Sequence, residues 1–85
     1  MKITIDVTAE DIAAGDCDCE SCPIALAINR AVPHALAEVG SDFINIYPNG
    51  VLVQCETPME ASQFISDFDR QLIPVQPFSF ELETP

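Results

Sequence analysis

The sequence predicts a small α+β fold with elements in the order β-α-α-β-β-β-α-β, one mostly antiparallel sheet and helices packed on one of its faces. Three observations predict it. Both ends of the chain alternate apolar and polar residues, as in "MKITIDVT" and "FSFELE". Pro48-Asn49-Gly50 separates two further apolar runs, "FINIY" and "VLVQC", as a hairpin turn would. The apolar stretches between these strands carry helical spacing without strict strand–helix alternation, which favours α+β over α/β. Eighty-five residues suffice for a single domain, 1–85. A chain this short buries only about 60% of its unfolded surface, so the core must be thin.

The first strand places Ile3, Ile5 and Val7 on one face and Lys2, Thr4 and Asp6 on the other. Thr8, followed three residues later by Asp11, resembles a capping box and opens a short helix, "AEDIAA", that Gly15 can stop. A second helix starts near Ser21 or Cys22, with Pro23 in its first turn. "IALAINRAV" is broken only by Asn29 and Arg30, so this helix should lie at the centre of the core. Pro33 ends or kinks it by pushing Val32 out of the α region.

"HALAEV" is ambiguous between a helical turn and a short strand at residues 37–39. Gly40-Ser41-Asp42 is a turn. In the hairpin, Ile44, Ile46, Val51 and Val53 are expected to point inward and Phe43, Tyr47 and Leu52 outward. Thr57-Pro58-Met59-Glu60 reads as a helix start with Thr57 as cap and Pro58 at the first position. The third helix places Ala61, Phe64, Ile65, Phe68 and Leu72 on one stripe and turns Glu60, Gln63, Asp67 and Arg70 to water. The last strand alternates Phe78, Phe80 and Leu82 against Ser79, Glu81 and Glu83, and should share a sheet with the first.

Charge is the strongest compositional signal. Fourteen acidic residues face three basic ones, Lys2, Arg30 and Arg70, for a net charge of −11. Direct binding to nucleic acid or an anionic membrane needs a basic footprint, so neither is expected. A protein with a basic surface, or a multivalent cation, suits this charge. The chain runs from Met1-Lys2 straight into an alternating segment, and its longest apolar run, "CPIALAI", cannot span a bilayer. The expectation is a soluble cytoplasmic protein with reduced cysteines.

Cys17, Cys19 and Cys22 occupy six residues in "GDCDCESCP". They supply three soft ligands for a zinc site, with Cys55 or His34 as the fourth. The site lacks a second C-x-x-C pair, and Cys55 falls in phase with core-facing residues. A redox dithiol at Cys19 and Cys22 would gain from a helix N-terminus. Asp16, Asp18 and Glu20 oppose it, because negative charge disfavours the thiolate. The third reading makes the stretch a capped loop: Asp18, Glu20 and Ser21 suit the positive end of the second helix, and Cys22 packs as a small hydrophobe.

No catalytic constellation is apparent. Ser21, Ser41, Ser62 and Ser66 have one histidine to share, and no G-x-S-x-G accompanies them. There is no phosphate-cradling glycine loop and no EF-hand motif. The expectation is a non-enzyme without a cofactor, zinc being the alternative. Two surface features remain as partner-binding candidates. Glu60 and Asp67 lie two turns apart on a helix face, and Glu81 and Glu83 about 6.7 Å apart along a strand. Phe43, Tyr47 and Leu52 on the outer hairpin face suggest a contact patch, a homodimer interface included.

Three segments carry a resemblance: Cys19-Glu20-Ser21-Cys22-Pro23-Ile24-Ala25-Leu26-Ala27, then Phe68-Asp69, then Pro77-Phe78-Ser79-Phe80-Glu81-Leu82. Together they resemble a group of small uncharacterised proteins of bacteriophages and prophage-bearing bacterial genomes. Cys17 and the "NIYPNG" hairpin have no counterpart in that pattern. The resemblance implies a phage-encoded protein in the host cytoplasm and brings no activity or site residues with it. In that setting, small acidic proteins often bind and block a host protein. Anti-CRISPR and anti-restriction proteins that mimic nucleic acid are similar in size and charge. The expectation is therefore an inhibitor of a host protein, such as a nucleic-acid-handling or defence complex. The alternatives are a zinc-binding accessory module and a homo-oligomeric structural or regulatory phage protein.

Overall fold

The computed structural model of the chain describes residues 2–70 and 74–84. Its elements are β1 (Lys2–Val7), α1 (Ala9–Ala14), α2 (Pro23–Ala31), β2 (Glu38–Val39), β3 (Phe43–Ile46), β4 (Val53–Glu56), α3 (Met59–Arg70) and β5 (Phe78–Glu83). This is an α+β fold in the order expected, and its strand pairs are antiparallel throughout. The single sheet is realised as two pieces. β1 pairs with β5, from Lys2 opposite Glu83 to Val7 opposite Phe78. β2, β3 and β4 form the second piece in that order.

One core serves both pieces. The inner face of the β1–β5 ribbon supplies Ile5, Val7, Phe80 and Leu82, and the second sheet adds Val39, Ile44, Ile46 and Cys55. Helix α2 fills the space with Pro23, Ile24, Ala25, Ala27 and Ile28, all buried. Helix α3 reaches the core through Ala61 and Phe64. The Phe64 ring stacks on Phe68 and on Phe78, with centroids 6.0 and 4.8 Å apart, and Phe78 continues to Phe80 at 5.7 Å. Because Phe78, Phe80 and Leu82 alternate onto the same side as Ile5 and Val7, the helices pack on that one side. Leu72, expected on the α3 stripe, lies outside the described residues.

Local chemistry explains the helix boundaries. The Asp11 amide donates to Thr8 Oγ1 at 3.2 Å and the Thr8 amide to Asp11 Oδ2 at 2.9 Å, completing the capping box. Gly15 follows α1 in an extended conformation, φ −77°. Its missing side chain matters for packing: a Cβ there would stand 2.5 Å from Cδ of Pro23. Cys22 caps α2, its Sγ accepting from the Ala25 amide at 3.4 Å. Val32 leaves the helix at φ −121°, as the following Pro33 demands.

Between α2 and β2 the chain adopts left-handed backbone at His34 and Leu36, φ 61° and 49°. Each costs about 1–2 kcal/mol for a non-glycine residue. The turn is held by the Tyr47 amide donating to Ala35 O at 2.6 Å and the Ala37 amide donating to Asn29 Oδ1 at 2.9 Å.

Two local expectations are corrected. Val51 was expected to point inward but is 69% exposed. The β3–β4 ladder begins only at Ile46 opposite Val53, so residues 47–52 form the connection, with Gly50 left-handed at φ 75°. Thr57 was expected to cap α3, but its hydroxyl donates to the Gly40 carbonyl at 2.7 Å and ties the turn before β3 to the start of the helix. Among the described residues no helix is long and apolar enough to cross a membrane.

Candidate functional site: the cysteine loop and the acidic surface

The loop between α1 and α2 is organised by its own polar groups. The Asp16 amide donates to Ser21 O, the Ser21 amide to Asp18 O, and the Glu20 amide to Asp18 Oδ1 at 2.9 Å. Asp18 thus folds the loop as an aspartate turn. The helix end is capped by the Cys22 sulfur, so Asp18, Glu20 and Ser21 shape the approach and do not cap it. The loop is fastened to β2 where the Val39 amide donates to Cys19 O at 2.8 Å.

The four thiols are free and differ in exposure. Cys17 and Cys19 are exposed, Cys22 half-buried and Cys55 buried. Cys55 lies on β4, two strands from the β2 strand to which the loop is fastened. His34 is exposed on the left-handed turn. Among the described residues no three His, Cys, Asp or Glu side chains converge as a metal-holding group.

Every thiol is pushed above its ordinary pKa. Desolvation leads in each case. For Cys17 the charge of Asp69 and a hydrogen bond with it add to the shift. For Cys19 the added charges are Asp18, Glu20 and Glu38. The thiolate is the nucleophile and the metal ligand, so this environment disfavours both roles.

The acidic residues dominate the surface, and two of the three basic side chains are bound to acids. Arg30 Nη1 donates to Asp11 Oδ1 at 2.7 Å, and its Nη2 donates to Asp11 Oδ2 at 2.9 Å and to Asp6 O at 2.8 Å. Asp11 is 5% exposed, and the Arg30 hydrogen bond holds its carboxyl below the usual carboxylate range despite burial. Lys2 Nζ lies 3.8 Å from Glu81 on an exposed face. Arg70 is exposed at the end of α3.

The partner-binding candidates fall into three places. Glu60 and half-buried Asp67 flank a shallow depression floored by Phe64, Val75 and Phe78; Asp67 accepts from Gln63 Nε2 at 3.1 Å. Glu81 and Glu83 sit elsewhere, on the outer face of the β1–β5 ribbon, and line a cleft with Glu56 of β4. Phe43 and Leu52 are each about half exposed, at 50% and 52%. Asn45 and Gln54 stand on the outer face beyond Phe43 and hydrogen-bond each other at 3.2 Å, so the hairpin face is not continuously apolar.

Tyr47 follows Phe43 and Asn45 on the same side, next to Glu38, which stands opposite Asn45. Its hydroxyl donates to Glu38 Oε1 at 2.8 Å. That bond, with desolvation and the charges of Glu38 and Glu20, raises its pKa. It lines a hollow with Glu20, Leu36 and Glu38.

Glu38 and Glu56 lie outside the candidates that the sequence pattern offers, and Asp69 enters there only within the resemblance. Glu56 was within reach, since Gln54 and Glu56 alternate with Cys55 and must face out if the cysteine faces in. Asp69 near Cys17 joins residues far apart in the chain and leaves no local signal. Comparison with family models, curated proteins and solved structures finds no match to this chain.

Proposed function

We propose that this chain acts by binding, not by catalysis: its acidic surface engages a basic protein surface and competes there with nucleic acid. The partner class is a nucleic-acid-handling or defence complex of a bacterial host, and the chain is an anti-CRISPR-like inhibitor in that sense. The observation that carries the reading is the charge balance. Fourteen acids meet three bases, and two of those bases are already paired to acids. The field of the molecule is therefore negative over most of its surface, which speeds encounter with a basic partner and repels nucleic acid. The resemblance of the Cys19–Ala27 and Pro77–Leu82 segments to small phage proteins supports the setting.

Affinity capture on the immobilised chain from bacterial lysate, with mass spectrometry, identifies the partner. Its affinity is expected to fall steeply as salt rises, and the double reversal Glu81→Lys with Glu83→Lys should weaken it. A partner held equally well at high salt and indifferent to that reversal removes the proposal.

A further inference from the structure

The chain has three asparagines, and the fold treats them differently. Asn29 lies inside α2, where its Oδ1 accepts from the Ala37 amide at 2.9 Å and the long side chain of Arg30 follows. Asn45 lies inside β3, where its Oδ1 accepts from Gln54 Nε2 at 3.2 Å and β-branched Ile46 follows. Asn49 sits in the exposed connection between β3 and β4, and Gly50 follows it. Among the described residues the Asn49 side chain has no hydrogen-bond partner.

An asparagine amide carbon lies within reach of the backbone nitrogen of the next residue, and bond formation between them closes a five-membered ring. The reaction needs a side chain free to rotate, a nucleophilic nitrogen without a bulky neighbour, and backbone free to adopt the ring geometry. Asn49-Gly50 meets all three. Gly50 has no Cβ, and one built there would meet nothing within 4 Å, so the turn is open on that side. Gly50 stands at φ 75°, and glycine crosses between left- and right-handed backbone without steric penalty. One contact opposes the reaction: the Gly50 amide donates to Tyr47 O at 3.1 Å. At an exposed turn such a bond opens readily, because water replaces the lost partner. The helix at Arg30 and the ladder at Ile46 hold the corresponding backbone of the other two sites in place.

We propose that Asn49-Gly50 is a self-modification site, at which the folded chain loses the Asn49 amide and becomes a mixture of aspartyl and isoaspartyl forms. The Gly50 nitrogen gives its proton to solvent base and bonds to Asn49 Cγ. The Cγ–Nδ2 bond breaks, and Nδ2 takes a proton from water and leaves as ammonia. The resulting succinimide then takes up water. Opening of its bond between nitrogen and Cγ leaves aspartate in a normal main chain. Opening of its bond between nitrogen and the backbone carbonyl carbon leaves isoaspartate, with the main chain running through Cβ and Cγ. In sum, amide and water give carboxylic acid and ammonia, and nothing is oxidised or reduced. Either product adds a negative charge beside exposed Val51 and Leu52, and the isoaspartyl form lengthens the β3–β4 connection. The excess of acid on this chain therefore grows with the age of the molecule.

The test incubates the folded full chain in neutral buffer at physiological temperature. Timed samples are digested and mapped by mass spectrometry, with fragmentation that separates the two isomers. Acid should appear at Asn49, as both isomers, at least about tenfold faster than at Asn29 or Asn45. Gly50→Ala puts a methyl group beside the nucleophile and should slow the conversion about tenfold. Because alanine is strained at φ 75°, Asn49→Gln serves as a second variant; its ring would have six members, and it should keep its amide. A peptide of the 46–53 sequence sets the rate without the fold. Retention of the Asn49 amide in the folded chain after that peptide has converted overturns the proposal, because the bond from Gly50 to Tyr47 O then withholds the nitrogen. So does aspartate formed without isoaspartate at a rate that Gly50→Ala leaves unchanged, which is direct hydrolysis with no ring.

Discussion

Replacing Arg30 by methionine tests how the first helix is held to the rest of the fold. Arg30 makes two hydrogen bonds to Asp11 and one to the Asp6 carbonyl, joining α1, α2 and the end of β1. Methionine keeps the aliphatic stem and removes all three bonds. The carboxylate it abandons is 6% exposed, with the Thr8 amide as its remaining partner. Removing one partner of a fully buried pair costs about 3–5 kcal/mol, and an exposed pair contributes under about 1. The Arg30 side chain is 51% exposed, so solvent moderates the loss. The expected cost is about 2 kcal/mol at neutral pH, equivalent to a fall in Tm of roughly 8–16 °C for a domain of this size.

The effect should also depend on pH. Asp11 has a folded-state pKa below its ordinary value, chiefly through Arg30. As pH falls, the unfolded chain takes up this proton before the folded one does. The contribution of the pair is therefore complete above about pH 5, and it fades as pH drops below about 4 through the lower folded value. Urea unfolding of parent and variant across that range isolates this difference from the general relief of negative repulsion, which acts on both. The gap should be widest at neutral pH and shrink towards acid. A gap under about 0.5 kcal/mol at neutral pH, or one of constant size down to about pH 3, refutes the assignment of Asp11 and Arg30 as a stabilising buried pair.

Three further outcomes are expected. Gly15→Ala drives a Cβ against the Pro23 ring and should cost about 1–3 kcal/mol in denaturant unfolding, whereas a neutral result would mean the ring moves aside freely. Maleimide labelling of exposed Cys17 should be slow at neutral pH and accelerate in Asp69→Asn, which removes a negative charge acting on that thiol; a rate unchanged by the substitution contradicts the placement of Asp69 beside it. Protein purified without chelator should contain under about a tenth of an equivalent of zinc, because no three ligand side chains converge among the described residues; near-stoichiometric zinc would restore the metal-site alternative for Cys17, Cys19 and Cys22.

Much of the fold was legible because its signals are local. Alternation in the terminal strands places Ile5, Val7, Phe80 and Leu82 inward without reference to anything distant. Thr8 with Asp11, Pro23 and Pro33 mark helix boundaries through their own backbone chemistry. What sequence could not supply depends on which distant groups meet. The division of the sheet is decided at β4 and β5, which α3 separates along the chain. Thr57 chooses the Gly40 carbonyl over its own helix because the fold brings that acceptor near. Asp11 was readable as a capping residue, but its burial and its pairing with Arg30, 19 residues away, were not. The candidate surface was legible in composition alone: the excess of acid is evident, whereas the cleft that gathers Glu56, Glu81 and Glu83 exists only once the two sheet pieces stand together.

The central claim is that the acidic surface displaces nucleic acid from a basic partner. The most direct measurement is competition: the captured partner bound to labelled nucleic acid, titrated with this chain at several salt concentrations. Displacement should be complete, weaken steeply as salt rises, and be impaired by Glu81→Lys with Glu83→Lys. A ternary complex in which nucleic acid stays bound, or displacement indifferent to both salt and charge reversal, would contradict it.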